Sequence, residues 1–393
     1  MNQIDELLTR GVANIISNKK ALEQRLQSDK KLNIYLGIDP TSTHIHLGHA
    51  VPLRKLQQFA QMGHHVTFLI GDFTALIGDT SDKETERPIL TTDEIQQNFE
   101  TYKKQAEKIL DFSKVTVQHN SEWLSKLTFA EIVKLTQHFS FGDFASRELI
   151  KKRLTEGKKV GLHEALYPVM QGYDSYFMDT DLQLGGTDQT FNMQAGRTLQ
   201  KVLRDKESFV MTNEFLTGTD GRKMSKTWGN AIWLEESPID MFGKVMSIKD
   251  DLIIEYYTLG TNVPLNEIET IKQRLESGEN PLDIKKELAT TIVSELHSKE
   301  EAQYAQNHFL TVVQQKGTPE KIDTITLTSG EQRTILDFIV ENKLVSSKAE
   351  GKRLIEQKGV TFDKQPVQSP HEIIREGVLQ IGKRTFIKIE ISN

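Results

Sequence analysis

Short apolar runs alternate with longer stretches of helical spacing along the first half of this chain. Residues 33–37, 66–70, 115–118, 182–184 and 209–211 each read as a short buried strand, the last closing a sheet. Turn formers follow two of them, Asp39-Pro40-Thr41 and Gly71-Asp72. Between the strands, residues 49–62, 93–110, 163–178 and 189–203 carry apolar side chains at helical intervals. The chain's opening, 4–27, places Ile4, Leu7, Leu8, Val12, Ile15 and Ile16 at the same spacing and reads as helix. Strands alternating with helices predict an α/β fold with a doubly wound parallel sheet.

Two stretches break the alternation. Residues 124–160 interrupt it with the aromatic-rich string Phe139-Ser140-Phe141-Gly142-Asp143-Phe144, which reads as loop or irregular helix. An insertion between the halves of the sheet fits this, either presenting aromatics at a subunit interface or packing them into a core. After Trp233 the pattern turns helical across 238–315, with Pro264 and Pro281 as breaks. The polar segment 316–330 reads as a linker, and a small α+β domain follows from about Gln332. The expected units are 1–220, a loop and connection at 221–237, a helical domain at 238–325 and a last domain at 332–393.

Composition narrows the function. A chain of 393 residues with 37% hydrophobic and 26% charged residues has the makings of a globular protein of two or three domains. The net charge of −6 offers no global field for nucleic acid, but the last domain holds a slight excess of Lys and Arg. The absence of cysteine excludes disulfides, zinc–thiolate sites and thiol nucleophiles. No apolar run reaches the roughly 18 residues of a membrane span, and the start has no signal-peptide core. A cytoplasmic protein is expected.

The chemistry lies in a few strings. His46-Leu47-Gly48-His49 sits at a strand-to-helix turn, where two histidines three apart share a face. Gly48 leaves room for a nucleotide to approach the backbone, and the helix start offers free N–H groups to a phosphate. The preceding 39–43 turn adds small donors, Thr41 among them. Incidental histidines at a helix start are one alternative; a metal site, with no Cys and no third ligand at a telling spacing, is another. Lys223-Met224-Ser225-Lys226-Thr227, with Gly218 and Gly221 nearby, can swing two ammonium groups onto a leaving pyrophosphate. A solvated charged loop is the alternative there. No phosphate loop of the GxxxxGK[ST] type and no GxGxxG after a strand occurs, which disfavours P-loop and dinucleotide enzymes. Tyr167, Gln171 and Asp174 fall on one helical face, and Leu184-Gly185-Gly186-Thr187-Asp188-Gln189 reads as strand, glycine turn and helix start.

The first two strings resemble the HIGH and KMSKS motifs of class I aminoacyl-tRNA synthetases. YPxxQxxD followed by GGTDQ resembles the bacterial-type tyrosyl-tRNA synthetases, in wording the second bacterial subtype. That resemblance covers nearly the whole chain and implies a Rossmann-like catalytic domain, a dimer-forming insertion at about 124–160, a helical anticodon-recognising domain and an S-four-type RNA-binding domain. It implies tyrosine–tRNA ligation with L-tyrosine, ATP carrying Mg²⁺, and tRNA(Tyr) as partners, in a homodimer, with no metal cage and no tightly bound cofactor. Tyr35 and Asp174 would hydrogen-bond the substrate phenol; Asp79, Tyr167 and Gln171 would hold its ammonium group, with Gln189 near the carboxyl end. Gly37, Asp39, Gly186 and Asp188 would lie along the ribose and adenylate. Thr41, His46, Lys223 and Lys226 would meet the phosphates, His49 the ribose–phosphate region, with Gly48, Met224 and Thr227 completing the ATP motifs. Thr227 replaces the usual final Ser and keeps the hydroxyl; Leu36 stands where some members have a polar side chain near the ribose. Lys348, Lys352 and Arg353 would face RNA phosphates, a solvated helix face being the alternative. The rivals are a non-catalytic RNA-binding relative and a tryptophanyl enzyme.

Overall fold

The computed structural model describes residues 3–41, 43–79, 91–315, 322–328, 333–382 and 385–392. Ser42 of the donor turn, linker residues 316–321 and 329–330, and Gln332 therefore lie outside the described residues. The chain divides into one unit over residues 1–299 and a second over 300–393.

The first unit is built on a six-stranded sheet of β1 (Val12–Ile16), β2 (Asn33–Ile38), β3 (His65–Ile70), β4 (Val115–His119), β5 (Leu182–Gly186) and β6 (Phe209–Asn213). Their spatial order is β1-β6-β5-β2-β3-β4. All pairings are parallel except that of β1 with β6. The order reverses between β2 and β5, so their carboxyl ends open a crevice, the usual ligand position in such sheets. Helices Leu47–Gln61, Thr92–Ala106, Leu162–Phe177 and Thr190–Arg204 supply the crossovers.

One expectation fails at the start of the chain. Residues 4–27 are not one helical stretch: Gln3–Leu7 and Lys19–Gln27 are helical, and Val12–Ile16 is a strand. Gly11, at φ +60°, ends the first helical segment, and β-branched residues then pair with β6. Strand β6 is consequently interior, not the closing edge. The opening segment is bolted down by buried cations. Lys55 Nζ donates to the carbonyls of Leu7 and Arg10, and the Arg10 guanidinium reaches those of Tyr257, Thr258, Thr261 and Val263.

The insertion folds as three short helices, Phe129–Thr136, Phe141–Ser146 and Glu148–Thr155. The aromatic string is thus partly helical, started by Ser140, whose hydroxyl accepts the Asp143 N–H. Beyond it, Pro264 and Pro281 start helices: Pro264 precedes Leu265–Glu276 as its cap, and Pro281 is the first residue of Pro281–Leu296.

In the second unit, β7 (Asp323–Thr328), β8 (Val360–Phe362), β9 (Gln365–Pro366), β10 (Gly377–Ile381) and β11 (Thr385–Ser392) form a sheet ordered β7-β11-β10-β8-β9. Helices Ile335–Glu341 and Lys348–Glu356 share its core, with Phe338, Ile339, Val360, Leu379 and Ile389 buried. Strand β7 corrects the linker reading: residues 323–328 pair in parallel with β11 from Ile387 to Ser392. Its Thr-Ile-Thr-Leu alternation is a strand pattern masked by polar neighbours. Among the described residues no helix is long and apolar enough to cross a membrane.

The insertion packs Leu135 against Val169 and Leu199 of the sheet's helical layer, and a buried ion pair adds to that contact. Arg153 makes a two-pronged contact with Glu164 at 2.7 and 3.0 Å, and both side chains are almost fully buried. Glu164 also accepts the Gly161 N–H at 2.6 Å. Removing one partner strands the other in a dry site. Arg153→Met is expected to lower unfolding free energy by about 3–5 kcal/mol in urea titration, whereas replacing the exposed Lys151 changes it by less than about 0.5 kcal/mol.

Candidate functional site

A cleft of about 490 Å³ lies at the carboxyl ends of β2 and β5, walled by the Leu47–Gln61 and Leu162–Phe177 helices. Its deep end is built around Asp174, 2% exposed. The Asp174 carboxylate accepts from Trp123 Nε1 at 2.7 Å and from Asn120 Nδ2 at 3.1 Å. Burial pushes its pKa up to about 7 against those two donors, with the nearby carboxylates of Asp39 and Asp72 adding to the rise. Tyr35, on β2 beside it, is 3% exposed, and its hydroxyl donates to Gln183 Oε1 at 3.0 Å. Burial, then the Asp174 charge, raise the Tyr35 phenol pKa well above its usual value.

Hydrogen bonds run on from Asp174 toward the mouth. Asn120 Nδ2 also donates to Thr74 Oγ1 at 3.0 Å, Thr74 donates to Asp39 Oδ1 at 2.8 Å, and Tyr167 donates to Asp39 Oδ2 at 2.9 Å. Gly71 makes this possible, since a Cβ there would stand 2.0 Å from Asp39 Oδ1 and 2.4 Å from Thr74 Oγ1. A second group centres on Asp79, 7% exposed, which accepts from Gln189 Nε2 at 2.7 Å and Asn192 Nδ2 at 3.3 Å. Two acidic centres, one deep and one lateral, suit a ligand with a phenol-like donor and an ammonium group.

The mouth holds the two histidines. The His46 and His49 rings stack with centroids 3.8 Å apart, tilted by 25°. His46 caps the Leu47–Gln61 helix, and its backbone N–H donates to His49 Nδ1 at 3.3 Å. That bond makes Nδ1 the acceptor and leaves the His49 proton on Nε2. A Cβ on Gly48 would crowd the His46 ring at 3.0 Å. Burial, then the Lys223 charge, push His49 down to about 4. Burial, with His49 and Lys223 adding to it, lowers His46 further still. Both rings are therefore neutral donors near pH 7.

The lysine loop is a hairpin. Met224 N–H donates to Leu216 O at 3.0 Å, and Asn230 spans the loop: its Oδ1 accepts Ser225 N–H, and its Nδ2 donates to Asp220 Oδ1 and Lys223 O. Glu255 receives both the N–H and the hydroxyl of Thr217. Lys223 Nζ lies 3.6 Å from the Phe215 ring centre and 3.5 Å from Asp188 Oδ2. Met224 is buried and lines the cleft; Lys226 is exposed at its rim.

Of the sequence-predicted residues in the first unit, all but one line this cleft: Tyr35, Gly37, Asp39, Thr41, His46, Gly48, His49, Asp79, Tyr167, Gln171, Asp174, Gly186, Asp188, Gln189, Lys223, Met224 and Lys226. Thr227 is exposed and outside the lining. Lys348, Lys352 and Arg353 lie in the second unit, exposed on the Lys348–Glu356 helix, with Lys348 Nζ 2.8 Å from Asp337 Oδ1. Sequence reasoning missed Thr74, Asn120, Trp123, Gln183, Asn192 and Asn230. Only Trp123, a rare residue beside a strand end, carried any signal. Among the described residues no group of three or more His, Asp or Glu could hold a metal ion.

The profile of the tRNA synthetases class I (W and Y) matches residues 27–314, and that of the S4 domain residues 333–379. The tyrosine–tRNA ligase of Thermotoga maritima is 40% identical over 98% of this chain and 96% of its own. That of Haemophilus influenzae is 41% identical over 100% and 98%. The chain belongs to the class I tyrosyl-tRNA synthetase family. Among solved structures, the tyrosyl-tRNA synthetase from Archaeoglobus fulgidus, complexed with L-tyrosine, shares the fold at a TM-score of 0.62 and 21% identity, over 78% of this chain and all of that one. A C-terminally truncated mitochondrial tyrosyl-tRNA synthetase of Aspergillus nidulans aligns at 0.65 and 23%, over 77% and 92%.

The synthetase fold carries a cost at Asp174. Its folded pKa of about 7 exceeds the ordinary 3.8, so between those values the folded state binds more protons than the unfolded. Its contribution is greatest below pH 3.8 and is lost as pH rises toward 7. Relative to Asp174→Asn, the unaltered ligand-free protein is expected to lose stability across that window and level off above it. Parallel urea titrations at several pH values measure this difference; a flat one would mean that Asp174 titrates normally.

Proposed function

We propose that this chain is a tyrosine–tRNA ligase. Tyrosine enters with its phenol at Tyr35 and Asp174 and its ammonium group at Asp79, Tyr167 and Gln171. Its carboxylate then lies toward Gln189 and the mouth. The observation that carries this reading is the buried, twice-bonded Asp174 at the floor of a cleft whose mouth holds stacked neutral histidines and a lysine hairpin.

The chemistry follows from that layout. The ionised carboxylate attacks the α-phosphorus of ATP; a P–O bond forms to tyrosine and the bond to pyrophosphate breaks, so no general base is needed. Gly37, Asp39, Gly186 and Asp188 border the ribose and adenylate, with Gly48 and Met224 beside the nucleotide. Thr41 and His46 donate to the phosphates and His49 to the ribose–phosphate region without adding charge, while Lys223, Lys226 and Thr227 meet the departing pyrophosphate. Mg²⁺ arrives with ATP and supplies charge neutralisation at its phosphates. A hydroxyl at the tRNA 3′ end then attacks the tyrosyl carbonyl and loses its proton, an ester C–O bond forms, and the carbonyl's bond to the phosphate breaks to release AMP.

The remaining parts extend the reading. The helices from Pro238 onward recognise the anticodon, and Lys352 and Arg353, with Lys348, contact tRNA phosphates. The chain acts as a homodimer in the cytoplasm. Phe129, Phe141 and Leu162 of the insertion and its edge are 82%, 64% and 77% exposed, which suits burial against a second copy.

Amino-acid-dependent ATP–pyrophosphate exchange without tRNA tests the core of this reading. Exchange with tyrosine but not tryptophan or phenylalanine is expected. Exchange with tryptophan would overturn the role of Asp174, and none with any would point to a non-catalytic relative. Lys352→Ala/Arg353→Ala is expected to leave exchange unchanged and lower tRNA charging kcat/KM by about tenfold or more, with a shallower salt dependence. Equal charging would remove that helix from the tRNA contact.

A further inference from the structure

Gln183, on β5, sits behind the pocket wall rather than in it. It is fully buried, and its side-chain amide is fixed at both ends. Nε2 donates to Met193 O at 2.9 Å, and Oε1 accepts the Tyr35 hydroxyl at 3.0 Å. Turning the amide over would set Oε1 against the Met193 carbonyl, two acceptors face to face. Gly196 closes the space around it: a Cβ there would stand 2.6 Å from Oε1 and 2.7 Å from Nε2. The amide orientation is thus determined by the protein, and Oε1 can only accept.

A tyrosine hydroxyl has one proton. With that proton on Gln183, Tyr35 presents lone pairs to the pocket. Asp174 beside it, when ionised, also accepts: its two oxygens take hydrogen bonds from the Trp123 and Asn120 N–H groups and keep further lone pairs for the pocket. We infer that Gln183 competes with the substrate for the Tyr35 proton and thereby makes the phenol end of the pocket accept rather than donate. It is a positioning residue for side-chain selection, acting through Tyr35, and this rests on the tyrosine reading above. A ligand phenol gives its one proton to Asp174, and drawing a second bond from Tyr35 strips Gln183 of its partner. A neutral para-amino group has two protons and can satisfy Asp174 and Tyr35 together. The pocket therefore suits aromatic amino acids with para donors, including one that brings two.

The test is pyrophosphate exchange with tyrosine, phenylalanine and 4-aminophenylalanine well above the Asp174 pKa of about 7, so that its carboxyl is ionised and can only accept. In the unaltered protein, kcat/KM for 4-aminophenylalanine is expected to exceed that for phenylalanine by about tenfold or more. Gln183→Met releases the Tyr35 proton toward the substrate. That variant is expected to lower the 4-aminophenylalanine-to-tyrosine ratio of kcat/KM by about fivefold or more. A ratio within one variant is unmoved by a general loss of folded protein. Equal use of 4-aminophenylalanine and phenylalanine by the unaltered protein would overturn the proposal, whether or not Gln183→Met folds. So would an unchanged ratio in a folded variant. Absence of exchange with tyrosine in the unaltered protein is a separate outcome, which removes the ligase reading itself.

Discussion

The site depends on a line of hydrogen bonds from Trp123 through Asp174, Asn120 and Thr74 to Asp39 and Tyr167. Its members come from separate elements: the end of β2, the turns after β3 and β4, and the Leu162–Phe177 helix. Only the parallel sheet brings those ends together. A carboxylate at each end of a buried line would be costly in isolation, because desolvation penalises the charged form. Here each acid is met by neutral donors, and Asn120 serves two directions at once with one amide. The same line couples the floor of the pocket to the turn at Asp39.

At the mouth the electrostatics take the opposite form. In the proposed reading the ATP phosphates bring the charge, and what the protein supplies there is a pair of neutral rings with lysines at the rim. Burial keeps His46 and His49 uncharged, and the His46 backbone dictates which ring nitrogen of His49 carries the proton. A pair of imidazolium ions stacked at 3.8 Å would repel each other, so neutrality is also what permits the stack. Lys223 meanwhile rests on the Phe215 ring and Asp188, partly exposed, where it lowers the pKa of both histidines without contacting them.

Strands β2 to β6 and their crossover helices were legible because burial on both faces leaves near-continuous apolar runs. The start of the chain misled because Val12, Ile15 and Ile16 satisfy helical spacing by chance, while the deciding feature, Gly11 at φ +60°, is conformational. Strand β7 hid in a polar stretch because it depends on pairing with β11, far along the chain. The site shows the same division. Residues in dense local strings, such as His46 to His49 and Tyr167 to Asp174, could be read directly. Asn120, Thr74 and Gln183 are single polar residues whose meaning comes only from partners brought close by the fold. Lys348 shows the converse: its spacing suggested a cation facing RNA phosphates, and only the fold reveals that Asp337 lies beside it.

The two ends of the cleft are held by different means, and this bears on how they work. The floor is buried, cross-braced between sheet and helix, and closed by the tight contacts of Gly71 and Gly196. Such a surface discriminates, because any misfit leaves a polar group unpaired with no room to adjust. The lysine hairpin is exposed over most of residues 221–229 and is tied by Thr217 to Glu255, by Met224 N–H to Leu216 O and by the Asn230 clamp. Asn230 holds the backbone on either side of Met224 but leaves both lysine side chains unconstrained by it. A hairpin fastened in this way can bring its cations to a pyrophosphate while the buried Met224 keeps it in register with the cleft. In the proposed reading, a closed, buried floor suits recognition of a small amino acid, and exposed lysines at the rim suit neutralisation of a departing group.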